Sequence, residues 1–306
     1  MSRAMIQNNS DTMTGLITKA IGGLYTVEAS DGVYECKARG IFRKKGISPS
    51  CGDKVEFTAE SSFKGIIEKI MPRRSQIIRP PLANLDVLVF VSSVCEPKPN
   101  LLLLDEFIAI AEYKGIVPIV VFTKIDKQDS SELAKIYRDA GLTVFEVNNI
   151  TGEGSDEVKS FLEGKLSAFT GNTGVGKSSL MNRIFPHLEL ATDEISEKLG
   201  RGKHTTRHVQ LYKLENGGYI ADTPGFSSFD TNRYDIIYKD KLADCFCEFR
   251  EYIGKCRFPD CSHTKEKGCA VIEAVESGKI ARSRFESYLS MYEQAKQLKE
   301  WEHKND

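Results

Sequence analysis

The stretch GNTGVGKS at 171–178 constrains this chain more than any other part of it. It fits the pattern G-x-x-x-x-G-K-[ST], in which glycines let backbone N–H groups converge on phosphate oxygens and a following helix N-terminus adds positive potential. Both required flanks are there: the strand-like LSAFT before it and the helix-like SSLMNRIF after it. A Gly-rich turn that matched by chance would lack them. The chain is therefore expected to build a layered α/β domain around a nucleotide's phosphates. In that site Gly171, Asn172, Thr173, Gly174, Val175 and Gly176 wrap the phosphates, and Lys177 meets the outer ones as the catalytic cation. Ser178 ligates Mg²⁺, with Ser179 beside it at the helix start.

Segments on either side refine the ligand. Asp222 in IADTPG ends a predicted strand about 45 residues downstream, where a Mg²⁺-side carboxylate belongs, and Gly225 lets the backbone swing toward a γ-phosphate. Between them EISEKLGRGKHTTRHV offers Thr205 and Thr206 as the hydroxyls able to close onto Mg²⁺; both stay open, with Thr206 placed first. Upstream, TKID at 123–126 follows the buried strand IVPIVVF. The Asp126 carboxylate can accept from the ring N–H and the exocyclic amine of guanine, a donor pair that adenine lacks. Thr123, Lys124 and Ile125 complete that segment, and Asn148 and Asn149 at the next strand end close the base pocket. Phe226 occupies the position where a water-orienting glutamine is common, so unaided turnover is expected to be slow. His204 is the candidate to orient water once a partner orders its loop, weighed evenly against an RNA contact.

The period of the apolar residues divides the rest. From Thr14 to about Met71 five short strands (GLITKAI, LYTVEA, VYECKA, KVEFTA, GIIEKI) fit a small closed barrel of the oligonucleotide-binding type, with an SH3-like barrel as its rival. After a basic Pro-punctuated linker, MPRRSQIIRPP, apolar runs alternate with helical patterns, which implies a mainly parallel sheet covered by helices. From about 230 the strands stop, and a long helix over 281–303 presents Phe285, Tyr288, Leu289, Tyr292, Ala295 and Leu298 on one face. The expected division is a disordered 1–13, a barrel over 14–72, the nucleotide domain over 73–229 and a helical domain over 230–306.

Net charge is −1, so any affinity for nucleic acid must be local. KARGIFRKKG supplies a candidate in a predicted barrel loop: Lys37, Arg39, Arg43, Lys44 and Lys45 for phosphates and Phe42 for stacking, with Arg73, Arg74 and Arg79 continuing the charge. A charge run alone is more often a solvated loop. No apolar run is long enough for a signal peptide or membrane span, and eight cysteines without a leader point to a reducing, cytosolic setting. Cys256, Cys261, His263 and Cys269 offer three thiols and an imidazole within fourteen residues, a full tetrahedral set for one structural zinc. Cys245 and Cys247 are read as packing thiols.

Taken in order, TKID, GNTGVGKSS, GKHTTR and DTPG resemble the circularly permuted GTPases, which carry base-reading segments before the phosphate loop. Together with the barrel and the Cys/His cluster, the chain from about Thr14 to Trp301 resembles the RsgA family. The resemblance implies three modules: an OB-type barrel that binds rRNA, a permuted GTPase core using Mg²⁺ with GTP, and a zinc-binding helical domain. It also implies a cytoplasmic monomer whose hydrolysis of GTP to GDP is stimulated by the small (30S) ribosomal subunit late in that subunit's maturation. A GTP-gated RNA-binding factor, in which hydrolysis only resets binding, is the alternative. Two positions depart from the common pattern. Thr123 replaces an Asn, removing one side-chain amide near the purine, and Asn148-Asn149 replaces a small Ser-Ala pair.

Overall fold

The computed structural model describes residues 12–44, 46–61, 63–78, 80–188, 209–215, 217–222 and 236–297. The barrel is built from β1 (Thr12–Ile21), β2 (Leu24–Ala29), β3 (Gly32–Ala38), β4 (Lys54–Ser61) and β5 (Lys64–Ile70), with a short helix α1 (Gly40–Lys44) between β3 and β4. Alternate residues point inward, so Ile17, Val27, Cys36, Val55, Phe57 and Ile67 fill the interior. Pairing runs antiparallel from β1 to β2 to β3, then parallel from β3 to β5, antiparallel from β5 to β4, and β4 closes on β1. The parallel β3–β5 pair belongs to a Greek-key path and not to a meander, which decides for the oligonucleotide-binding barrel. The basic segment expected as a loop is instead the end of β3 and α1.

The stretch read as a linker is also structured. β6 (Gln76–Ile77) and β7 (Leu82–Ala83) form a small hairpin, and Ile77 and Leu82 are buried in the core of the next module. Two of its arginines are paired. Arg73 grips the fully buried Asp53 through two bonds of 2.7 and 2.8 Å, and Arg74 pairs with Asp86 at 2.7 Å. Arg73 is thereby turned inward, whereas Arg74 stays exposed beside its carboxylate.

Seven strands and helices then alternate: β8 (Val87–Ser93), α2 (Leu101–Tyr113), β9 (Val117–Thr123), α3 (Ser131–Asp139), β10 (Thr143–Val147), α4 (Ser155–Phe161) and β11 (Leu166–Thr170). They are followed by α5 (Lys177–Ile184), β12 (Gln210–Leu214) and β13 (Gly218–Asp222). The sheet order is β10-β9-β8-β11-β13-β12, parallel throughout except for the antiparallel edge strand β12. Both faces are covered, which explains the near-continuous apolar runs. On one face Leu88 and Phe90 of β8 pack with α2 and α3; on the other Val87, Val89 and Val91 pack with α4 and α5. β11 follows β10 in sequence yet sits beside β8, with β9 and β8 between it and β10, as at the switch point of a doubly wound sheet. The permutation lies in the motif order, TKID coming at the end of β9 and the phosphate loop only after β11. The barrel extends the sheet: β1 pairs with β12 at Lys19↔Gln210, and Lys213 of β12 pairs with Glu28 of β2.

The C-terminal unit contains α6 (Lys239–Leu242), α7 (Ala270–Glu276) and α8 (Arg282–Gln297) around Phe246, Phe249, Val271, Phe285 and Tyr288, and it shares that core with Ala109 and Ile110 of α2. Arg284, buried on the inner face of α8, donates to Asp105 of α2 at 2.6 Å and to Glu248 at 2.7 and 3.1 Å. Among the described residues no helix is long and apolar enough to cross a membrane.

Candidate nucleotide site and metal cluster

β11 delivers the chain to Gly171, whose φ of +143° is open to glycine; a Cβ there would lie 2.2 Å from Val91 O on neighbouring β8. The loop returns through Gly174 and Gly176, both at positive φ, and Gly176 caps α5 without a side chain of its own to cover the first-turn N–H groups. Those donors are therefore presented to an anion. Lys177 reaches back over the loop to Gly171 O at 3.4 Å, and Ser178 and Ser179 lie in the first turn of α5. Asn172 is half-buried, Thr173 exposed and Val175 buried in the core beneath.

TKID reaches this loop from the end of β9. Thr123, fully buried, donates its hydroxyl to Val175 O at 2.5 Å. Lys124, in the left-handed region at φ +61°, bonds Gly174 O at 2.8 Å and also Glu96 O. Ile125 packs on the core and Asp126 stands exposed at the mouth, where an acceptor for a base is needed. Asn148 is a turn-former: its Oδ1 accepts from Ile150 N at 2.9 Å and Thr151 N at 3.3 Å. Asn149 crosses to the loop, donating from Nδ2 to Gly176 O at 3.0 Å and leaving Oδ1 buried with no hydrogen-bond partner. The amide absent at position 123 is thus present, supplied from the end of β10. An orphaned buried acceptor beside a phosphate loop is the kind of group that a nucleotide N–H satisfies.

Asp222 closes β13 in register with Gln210, on the strand next to β11, and nothing is described of its side chain. His204, Thr205, Thr206, Gly225 and Phe226 lie outside the described residues, as do Lys45 and Arg79.

Cys256, Cys261, His263 and Cys269 converge: one ligand atom from each lies within 4.8 Å of all the others. Cys256 Sγ is 3.9 Å from Cys269 Sγ, and His263 Nδ1 is 3.5 and 3.4 Å from those two sulfurs. Tetrahedral zinc with Zn–S of about 2.3 Å and Zn–N of about 2.0 Å requires separations of about 3.8 and 3.5 Å. The fit is close. Burial pushes the Cys261 thiol up to about 12 and lowers His263, so the imidazole is a neutral ligand while thiolates here call for a cation. His263 itself takes a left-handed backbone at φ +57°. The turn carrying it is held by Glu266, which accepts from Ser262 N at 3.0 Å, Thr264 N at 2.9 Å and Lys265 N at 3.0 Å. Burial opposes the charge on Glu266, but donation from the Ser262 hydroxyl and these N–H groups brings its carboxyl down to about 2. Cys245 and Cys247 stand apart, bonding Lys241 O and Glu112 Oε1.

On the barrel, Lys37 and Lys44 are exposed, and exposed Arg39 pairs with Glu68 at 2.8 Å. Phe42 is half-buried and packs against the barrel core. Nothing is described of the Arg43 side chain.

Residues 70–232 match the family described as RsgA GTPase, and residues 14–67 match the RsgA N-terminal domain. A small ribosomal subunit biogenesis GTPase RsgA from Streptococcus pneumoniae is 46% identical over 292 residues, covering 94% of this chain and 96% of that protein. The protein of the same name from Alkaliphilus metalliredigens is 44% identical over 282 residues, covering 90% and 96%. The crystal structure of YjeQ from Thermotoga maritima superposes with a TM-score of 0.80 at 33% identity, covering 94% of this chain and 100% of that one. YloQ, described as a circularly permuted GTPase, superposes with a TM-score of 0.77 at 33% identity, covering 97% and 99%.

Proposed function

This chain belongs to the RsgA GTPase family, and from that membership we infer that its hydrolysis of GTP serves the biogenesis of the small ribosomal subunit, which it binds and which accelerates it. It is a GTP hydrolase: water attacks the γ-phosphorus, the bond to the β-phosphate oxygen breaks, and GDP leaves with phosphate. The observation that carries the reading is the joining of base segment to phosphate loop by Thr123–Val175 and Lys124–Gly174. That joint fits a ligand having both a base and a phosphate tail.

In this reading the first-turn N–H groups of α5, Gly171–Gly176 and Lys177 hold the phosphates, and Asp126 selects guanine. Ser178, Asp222 and Thr206 would hold Mg²⁺, which when bound offsets phosphate charge. Phe226 cannot orient water, and His204 is assigned that task, which makes hydrolysis depend on a partner. The Cys₃His cluster would hold one zinc as a structural ion, its four positions being filled by the protein. The division into modules at 72/73 and 229/230, the action of a single copy in the cytoplasm, and rRNA contact through Lys37, Arg39, Phe42, Arg43, Lys44 and Lys45 belong to the same proposal. A factor in which binding alone does the work is not favoured.

The test is GTP turnover with and without purified small subunits. Acceleration is expected, lost in His204→Ala; equal turnover with and without subunits overturns the reading, and intact stimulation in the variant removes His204 from it.

A further inference from the structure

Arg183, in the last turn of α5, is seven residues beyond Gly176 and absorbed by no motif. Its guanidinium lies across the turn that follows β10, donating from Nη1 to Asn149 O at 3.4 Å and Ile150 O at 3.3 Å, and from Nη2 to Thr151 O at 2.5 Å. Three successive carbonyls thus face one planar fork, a match that suits arginine better than lysine. The turn is shaped for this. Gly152 takes φ +94°, which residues with a side chain rarely adopt, and a Cβ there would lie 2.1 Å from the guanidinium and displace it. Gly154 would place one 2.0 Å from Glu146 O, so the turn folds back tightly on β10. Its own N–H groups are used internally: Asn148 takes Ile150 N and Thr151 N on its side chain and Gly152 N on its carbonyl. That leaves the carbonyls for Arg183.

The same turn is held a second time, at the other end of α5, by Asn149 Nδ2 on Gly176 O at 3.0 Å. Two links spaced along one helix fix both distance and tilt between the base-side turn and the phosphate helix. We propose that Arg183 is a positioning residue for nucleotide recognition: by strapping the 149–151 carbonyls to α5 it sets the separation between the guanine pocket and the phosphate loop. It touches no part of the nucleotide. The inference rests on the GTP-binding reading above.

Binding of GTP, GDP and ITP, with steady-state turnover of GTP, tests it in the intact chain. ITP lacks the exocyclic amine, so the ratio of GTP to ITP affinity reads how well the pocket seats the base. Arg183→Ala is expected to weaken GTP and GDP alike by roughly tenfold, shrink that ratio, and raise KM with little loss of kcat. Arg183→Lys, which can reach one carbonyl at a time, recovers only part. Combining Arg183→Ala with Asn149→Ala should fall short of additive, because both links hold one separation. If Arg183→Ala binds GTP within about twofold of the parent with an unchanged GTP to ITP ratio, the strap has no such role. A loss confined to thermal stability, with both affinities kept, overturns it too. Failure of the parent chain to bind GTP would instead sink the functional reading itself.

Discussion

Replacing Arg284 by methionine should uncouple the C-terminal unit from the GTPase core. Arg284 and Asp105 are each 1% exposed, and three hydrogen bonds of 2.6–3.1 Å run from this one guanidinium to two carboxylates. It also lies 4.8 Å from the Phe246 ring centre and 5.7 Å from that of Tyr137. Removing the one cation from such a buried cluster leaves Asp105 and Glu248 uncompensated, which costs about 3–5 kcal/mol. The loss should depend on pH. Burial already raises the Asp105 carboxyl, and Arg284 is the leading influence drawing it down. Without Arg284 its folded pKa climbs further above the unfolded value of about 3.9, so the folded variant keeps a proton that the unfolded chain releases. Stability of the variant therefore falls as pH rises above about 4, and its deficit against the parent widens toward neutrality. Urea unfolding followed by far-ultraviolet circular dichroism at about pH 5 and about pH 7.5 measures both effects. A deficit below about 1 kcal/mol, or one equal at both pH values, refutes the reasoning. Replacing all three charges by apolar residues of similar volume should restore most of the loss.

Thr123→Val keeps the shape but leaves Val175 O without its hydroxyl donor, so GTP affinity should drop roughly tenfold while Thr123→Ser stays near the parent; isothermal titration decides. Cys256→Ser should lose the metal and Cys245→Ser retain one zinc per chain by elemental analysis, with loading in the parent falling as pH drops because the thiols must lose protons. Gly171→Ala should abolish nucleotide binding, its Cβ meeting backbone 2.2 Å away; binding near the parent's affinity would show that the loop tolerates another path. Reversing Arg43 and Lys44 to glutamate should weaken small-subunit binding and flatten its salt dependence, read by sedimentation at two salt concentrations.

Features legible in the sequence were those written in local spacing. GNTGVGKS, TKID and the Cys/His set each sit within fourteen residues, and their flanking periods placed the strands and helices correctly. Features that arise from meetings across the chain were not legible. The choice of barrel depended on β3 pairing with β5, a register no single strand encodes. Arg73 reads as available in the sequence because its carboxylate, the buried Asp53, comes from a barrel turn twenty residues away. The amide beside the phosphate loop is not legible at position 123 because it comes from Asn149, just beyond another strand end. Arg284 was passed over because a periodic reading gives charged residues to solvent, whereas here the apolar stripe of α8 includes a cation neutralised by α2.

The position of the phosphate loop after β11 also dictates when this molecule becomes competent during its own synthesis. β8 must hydrogen-bond with β11, yet Asp86 and Leu166, joined at the start of that pairing, are 80 residues apart. Until β11 leaves the ribosome, one edge of an apolar strand stays unpaired, and such long closures fold slowly and invite mispairing. The phosphate loop comes after that closure, and β13 later still. A chain stopped after β10 should therefore bind no GTP and expose a sticky edge, whereas one extended past β13 should bind it. Nucleotide capture in this arrangement is a late event, so occupancy by GTP reports a core that has already been completed.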